Sequence, residues 1–75
     1  MNNFKLTVCD GKLVVDFPNE YRRVHISGEY ENDVFRIRTE HFETYGELSK
    51  EDKRRIRQAI DIRNNKGVKP MIIID

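Results

Sequence analysis

The chain has no tryptophan, one cysteine, two prolines and four scattered glycines in 75 residues, and no apolar run of membrane-spanning length. Each shortage removes a class of function. With Cys9 alone there is no intramolecular disulfide, and the paired cysteines of a zinc ribbon are missing. Dispersed glycines make no phosphate-cradling loop. The opening stretch MNNFKLTV lacks a basic region followed by a long apolar run, so it does not read as a secretory leader, and a cytoplasmic location is the default expectation. An excess of one charge is lacking too. Lys and Arg number 14 against 13 Asp and Glu, for a net charge of +1, which is not the global basicity of a dedicated nucleic-acid binder.

What is present is charge of both signs, unevenly placed. Charged residues make up 36 % of the chain, and such a surface is well solvated. Residues 1–48 carry six basic and nine acidic groups, whereas residues 49–75 carry eight and four. The length suits a single domain over residues 1–75, near the lower limit for a core without disulfide or metal.

The organising stretch is Ser49–Lys66, SKEDKRRIRQAIDIRNNK, the one segment with a clear helical period. Ser49 suits an N-cap, Asp52 three residues on makes a capping box, and Glu51 and Asp52 favour the positive end of the dipole. Asp52, Ile56, Ala59, Ile60 and Arg63 share one side, a narrow stripe suited to lying on a sheet. Asn64, Asn65 and Gly67 supply the stop, with Gly67 left-handed. Ile62 falls off the stripe and is expected to touch the last strand or a partner. Lys50, Lys53, Arg54 and Arg57 gather on the opposite side.

Everything before this helix alternates as strands do. Phe4–Val8 and Lys12–Phe17 flank Asp10-Gly11, a two-residue hairpin turn, and closing it pairs Phe4 with Phe17, Leu6 with Val15, Val8 with Leu13 and Lys5 with Asp16. One face is then apolar, and a slip of one residue would destroy the pattern. Pro18-Asn19 breaks the chain. A second hairpin is expected from a strand Tyr21–Tyr30 and a strand Val34–His41 about an Asn32-Asp33 turn. It pairs Tyr30 with Phe35, Glu29 with Arg36, Gly28 with Ile37, Ser27 with Arg38, Ile26 with Thr39 and His25 with Glu40, and Gly28 marks a bulge or close backbone approach. Phe42–Leu48 is a connector. Met71–Ile74, preceded by Pro70, suggests a strand covered on both faces, parallel to the strand before the helix if the two are neighbours. The fold class is α+β in the order ββββαβ: an antiparallel sheet of two hairpins, one helix packed on it and a C-terminal strand.

The candidate sites are few. His25, Glu40, His41, Glu43 and Cys9 are metal-ligand types, but the expected register turns His25 and His41 to opposite faces, so we expect no metal site. Cys9 beside Asp10 is poorly placed to ionise, and Ser27 and Ser49 lie in no nucleophile context. No catalytic residue is assigned, no cofactor is implied, and an enzyme is not expected. The partner-binding candidates are Lys50, Lys53, Arg54 and Arg57 on the helix with Tyr21, Arg22 and Arg23 before strand three. Tyr30, Phe42 and Tyr45 are further exposed aromatics of the kind favoured at interfaces. These residues suit a non-catalytic interaction module facing an acidic protein surface, in the manner of small adaptors and inhibitors, some of them carried by phages. Nucleic-acid binding through the helix is the alternative, and no membrane is involved.

Overall fold

The computed structural model describes residues 4–18 and 20–75. Asn19, half of the expected break, and the first three residues of the opening stretch lie outside them. The strands are β1 (Lys5–Cys9), β2 (Lys12–Asp16), β3 (Arg23–Ser27), β4 (Glu29–Glu31), β5 (Val34–Ile37) and β6 (Met71–Ile74). The helices are α1 (Thr39–Glu43) and α2 (Lys50–Asn65). This is the α+β order anticipated, with an added short helix.

The first hairpin forms in the register its alternation dictates. Asp10 and Gly11 take φ of 53° and 73°, the twist of a type I′ turn, and Lys5 faces Asp16, Leu6 faces Val15 and Val8 faces Leu13. Phe4 meets Phe17 edge-to-face, with ring centroids 4.9 Å apart. Leu13, Val15 and Phe17 are buried, whereas Leu6 and Val8 are half-buried because β1 is an outer strand.

The third strand departs from expectation. It is two strands with different partners: β3 pairs with β2, Leu13 facing Ile26 and Val15 facing Val24, while β4 pairs with β5. The Asn32-Asp33 turn is correct, as are the Tyr30–Phe35 and Glu29–Arg36 pairs. The pairs from Gly28–Ile37 onward do not form, and His25 lies opposite Val14 rather than Glu40. The cause is Gly28. An added Cβ there would lie 2.6 Å from the Arg36 carbonyl oxygen and 2.7 Å from the Phe35 ring, so the backbone crosses where a side chain has no room. The Gly28 N–H is donated back to the Gly11 carbonyl at 3.1 Å, which closes the first sheet as the second begins.

Two three-stranded sheets result, β1-β2-β3 antiparallel and β4-β5-β6 mixed, with β5 and β6 parallel. Strand β5 stops at Ile37 instead of His41, and Thr39–Glu43 turns into α1, which buries Phe42 completely. One continuous core gathers Val15, Ile26, Phe35, Ile37, Phe42 and Leu48 around Ile56 and Ile60 of α2 and Ile72 of β6. The last strand is less covered than its apolar run implies. Ile72 is buried, Ile73 and Ile74 are half-buried, and Met71 is 43 % exposed, because β6 ends its sheet.

Candidate functional site

Helix α2 begins as the sequence indicates. The Asp52 N–H donates to Ser49 Oγ at 3.0 Å and the Ser49 N–H donates back to Asp52 Oδ2 at 3.2 Å, a complete capping box. Burial pushes the Asp52 carboxyl up, but the Ser49 hydrogen bonds and the Arg22 guanidinium outweigh it and hold the group below its ordinary value.

The basic side of α2 is largely occupied by its own neighbours. Arg54 bonds to Glu51 at 2.5 Å, and this contact lowers the Glu51 pKa and raises that of Arg54. Lys53 Nζ donates to the Glu43 carbonyl at 2.5 Å, and Arg57 bonds to the Glu43 carboxylate at 2.7 Å while its guanidinium sits 5.0 Å from the Phe42 ring centroid. Lys53 and Arg57 thus lash α1 to α2. Of the four expected binding residues, Arg54 and Arg57 are ion-paired and Lys53 is held by a backbone carbonyl, which leaves Lys50 with neither kind of contact among the described residues.

The Tyr21-Arg22-Arg23 cluster is likewise divided. Tyr21 is fully exposed. Arg22 turns inward: it stacks 4.0 Å from the Phe17 ring centroid, reaches Asp52 Oδ2 at 3.2 Å and donates to the Glu47 carbonyl. Arg23 bonds to Asp16 at 2.6 Å. Among the other aromatics, Tyr30 is exposed, but Phe42 is core and Tyr45 is half-buried with its hydroxyl donating to the His25 carbonyl at 2.9 Å. Burial and nearby Glu47 push the Tyr45 hydroxyl pKa up. No three His, Cys, Asp or Glu side chains gather among the described residues.

A surface outside the expected list lies at the other end of α2. The helix stops in a Schellman motif: the Gly67 N–H, at φ 78°, donates to the Asn64 carbonyl and the Val68 N–H to the Arg63 carbonyl. That turn returns Val68 toward Ile62. Together with Phe4 and Leu6 of the first hairpin, Ala59, Arg63 and Lys66, they line a groove of about 320 Å³ between the hairpin and the helix. Ile62 is 54 % and Val68 44 % exposed. Ile62 therefore faces this groove and not the last strand. Its sequence signal was its position off the apolar stripe, and what it stood beside depended on the helix's placement against the first hairpin.

No protein-family model, no curated protein and no solved structure matches the chain. Among the described residues no helix is long and apolar enough to cross a membrane.

Proposed function

We propose that the protein is a non-catalytic interaction module that binds a partner protein of acidic surface. The observation that carries this is the groove between the first hairpin and α2: its floor is apolar, and among the described residues its charged lining groups, Arg63 and Lys66, are both cationic. An apolar floor with a rim of one sign suits an occupant that brings apolar side chains and carboxylates together. Within the originally expected set, Lys50 and Tyr21 stand out toward solvent and extend the same chemistry, whereas Lys53, Arg54, Arg57, Arg22 and Arg23 hold the fold's own carboxylates and carbonyls. Binding of nucleic acid by α2 remains the second reading. It is weaker because Glu43 and Glu51 sit among those cations and would face phosphates.

A pull-down from cell lysate with and without nuclease tests it. Retention of a protein partner after nuclease treatment, weakened by Lys66→Glu, is the expected result. Loss of all capture with nuclease would favour nucleic acid. In that case four phosphate contacts to duplex DNA would give a slope of about −3.6 in log K against log salt. A protein partner shows a milder salt dependence, acting mainly on the association rate.

A further inference from the structure

Every sheet edge offers unpaired backbone groups, and folded proteins blunt those edges or use them. Among the described strands, three of the four edges here are blunted. The outer side of β3 is capped at His25, whose carbonyl accepts from the Tyr45 hydroxyl. On β6, Asn64 grips Ile72 from both sides of its amide, Nδ2 donating to the Ile72 carbonyl at 2.8 Å and Oδ1 accepting its N–H at 3.0 Å. Arg63 takes the Pro70 carbonyl just before it. Strand β4 is three residues long and two of them are glutamates.

Among the described residues, strand β1, five residues long, has none of these devices. A two-residue turn makes Cys9 and Lys12 a hydrogen-bonded pair, so the backbone groups of Cys9, Thr7 and Lys5 face β2. The same parity appears across β2, where the Phe17 N–H donates to the Arg22 carbonyl of the neighbouring β3 side. The N–H and C=O groups of Leu6 and Val8 therefore point outward. Beside that open edge lies the groove of Phe4, Leu6, Ala59, Ile62 and Val68.

We infer that β1 is a docking edge for an extended segment of a partner protein, an acidic–apolar alternating strand that joins the β1-β2-β3 sheet. The inference rests on the interaction-module reading above and gives it a site. In an added strand, alternate side chains fall on the helix side of the sheet, over Ile62 and Val68, and these must be apolar. The residues between them fall on the outer face beside Lys5, whose cross-strand neighbour Asp16 is already bonded to Arg23. Carboxylates suit those positions, and one beyond the groove meets Lys66. Neither Lys5 nor Lys66 has an acidic partner among the described residues. A second copy of the chain suits the edge poorly, because a two-fold contact sets the cations of the groove rim against their own duplicates.

The probe is an alternating glutamate–isoleucine peptide of about nine residues, ample for a strand of ordinary length. It is titrated into the ¹⁵N-labelled full chain, and amide shifts and hydrogen exchange are followed. The expected result is a shift at Leu6 and Val8 and a slowing of their exchange by about tenfold or more, since free outward amides become paired. Lys66→Glu, or lysine in place of the peptide's glutamates, should weaken binding about tenfold. Val8→Pro, which removes an outward N–H from an edge strand that tolerates proline, should abolish it while β2 and β3 amides keep their shifts. The proposal is overturned if about 1 mM peptide leaves Leu6 and Val8 unchanged, or if shifts fall on β4, β6 or the Lys50 side of α2 instead. It is also overturned if Leu6 and Val8 are protected without peptide in a concentration-dependent manner, which would assign the edge to a second copy. Failure of the two readings is distinguishable. A nuclease-resistant protein partner captured equally by parent, Val8→Pro and Lys66→Glu keeps the interaction module and discards the β1 edge; a parent that captures no protein discards the module itself.

Discussion

Gly28 is where one residue decides the architecture. Its backbone leaves β2 and joins β5 at a point where the Arg36 carbonyl and the Phe35 ring fill the space a side chain would need. Neither neighbour can retreat cheaply, since the carbonyl belongs to a paired strand and Phe35 is buried. Gly28→Ala should therefore lower stability by about 1–3 kcal/mol, the usual penalty for overpacking a well-filled site. Chemical denaturation measures it, and Gly46→Ala, where an added Cβ meets nothing within 4 Å, is the matched control. An unchanged Gly28→Ala midpoint would mean that the two sheets do not cross so closely. Arg22 shows a similar concentration of roles, since one guanidinium stacks on Phe17 and bonds both Asp52 and the Glu47 carbonyl. Its inward course was hidden in the sequence because it depends on Asp52 and the Glu47 carbonyl arriving from a distant stretch of chain. A doublet Arg22-Arg23 looks the same whether it faces a partner or the core rim.

At the scale of elements, helix α2 and the first hairpin were legible because each carries its own local instructions: a cap, a periodic stripe and a stop, or a turn flanked by matched alternation. The division of the third strand and the five-residue α1 were not. A helix that short cannot display a 3.6-residue period, and Ile37, Thr39 and His41 continue the alternation of β5 far enough to imitate strand. The groove was missed for a related reason, since Leu6, Ile62 and Val68 become neighbours only once the helix is set against the hairpin. The helix stripe gives a ranking that can be checked. Ile56 and Ile60 are 0 % and 4 % exposed, so truncation of either to Ala should cost about 2–5 kcal/mol. Ile62→Ala, on the open groove, should fall well below both. The helix start gives a pH dependence. The folded pKa of Asp52 lies below its ordinary value of 3.8. Its contribution is therefore complete above that value and is lost as pH falls through the lowered folded one. Urea midpoints taken from neutral pH down to about pH 3 should decline more steeply for the parent than for Asp52→Asn, which has no carboxylate to protonate. Glu51, also lowered by its Arg54 bond, is present in both proteins, so the difference reports Asp52.

For the whole molecule, two small sheets leave four edges on one small core, and their treatment governs whether the chain stays apart from its copies. The far end of α2 serves β6 in this respect. Asn64, expected as part of a helix stop, does more, since its amide stands in for a neighbouring strand at Ile72. Asn64→Ala removes both bonds at a residue that is 1 % exposed, so the Ile72 N–H and C=O lose partners that water reaches poorly. A loss of about 1–3 kcal/mol is expected. The same change uncovers a second open edge, at the end of the sheet that does not contain β1. An edge on β6 of one copy meeting β1 of the next is a head-to-tail contact that does not close on itself, so association should continue beyond a dimer. Asn65→Ala, an exposed residue next along the helix, removes comparable bulk without touching β6 and serves as the control. Light scattering that rises with concentration in Asn64→Ala but not in Asn65→Ala, together with the lower denaturation midpoint, is the expected pair of results. A variant that keeps the parent's midpoint and scatters no more than the parent would mean that β6 is protected by something other than Asn64. The case for β1 as the one edge left open among the described strands would then lose its contrast.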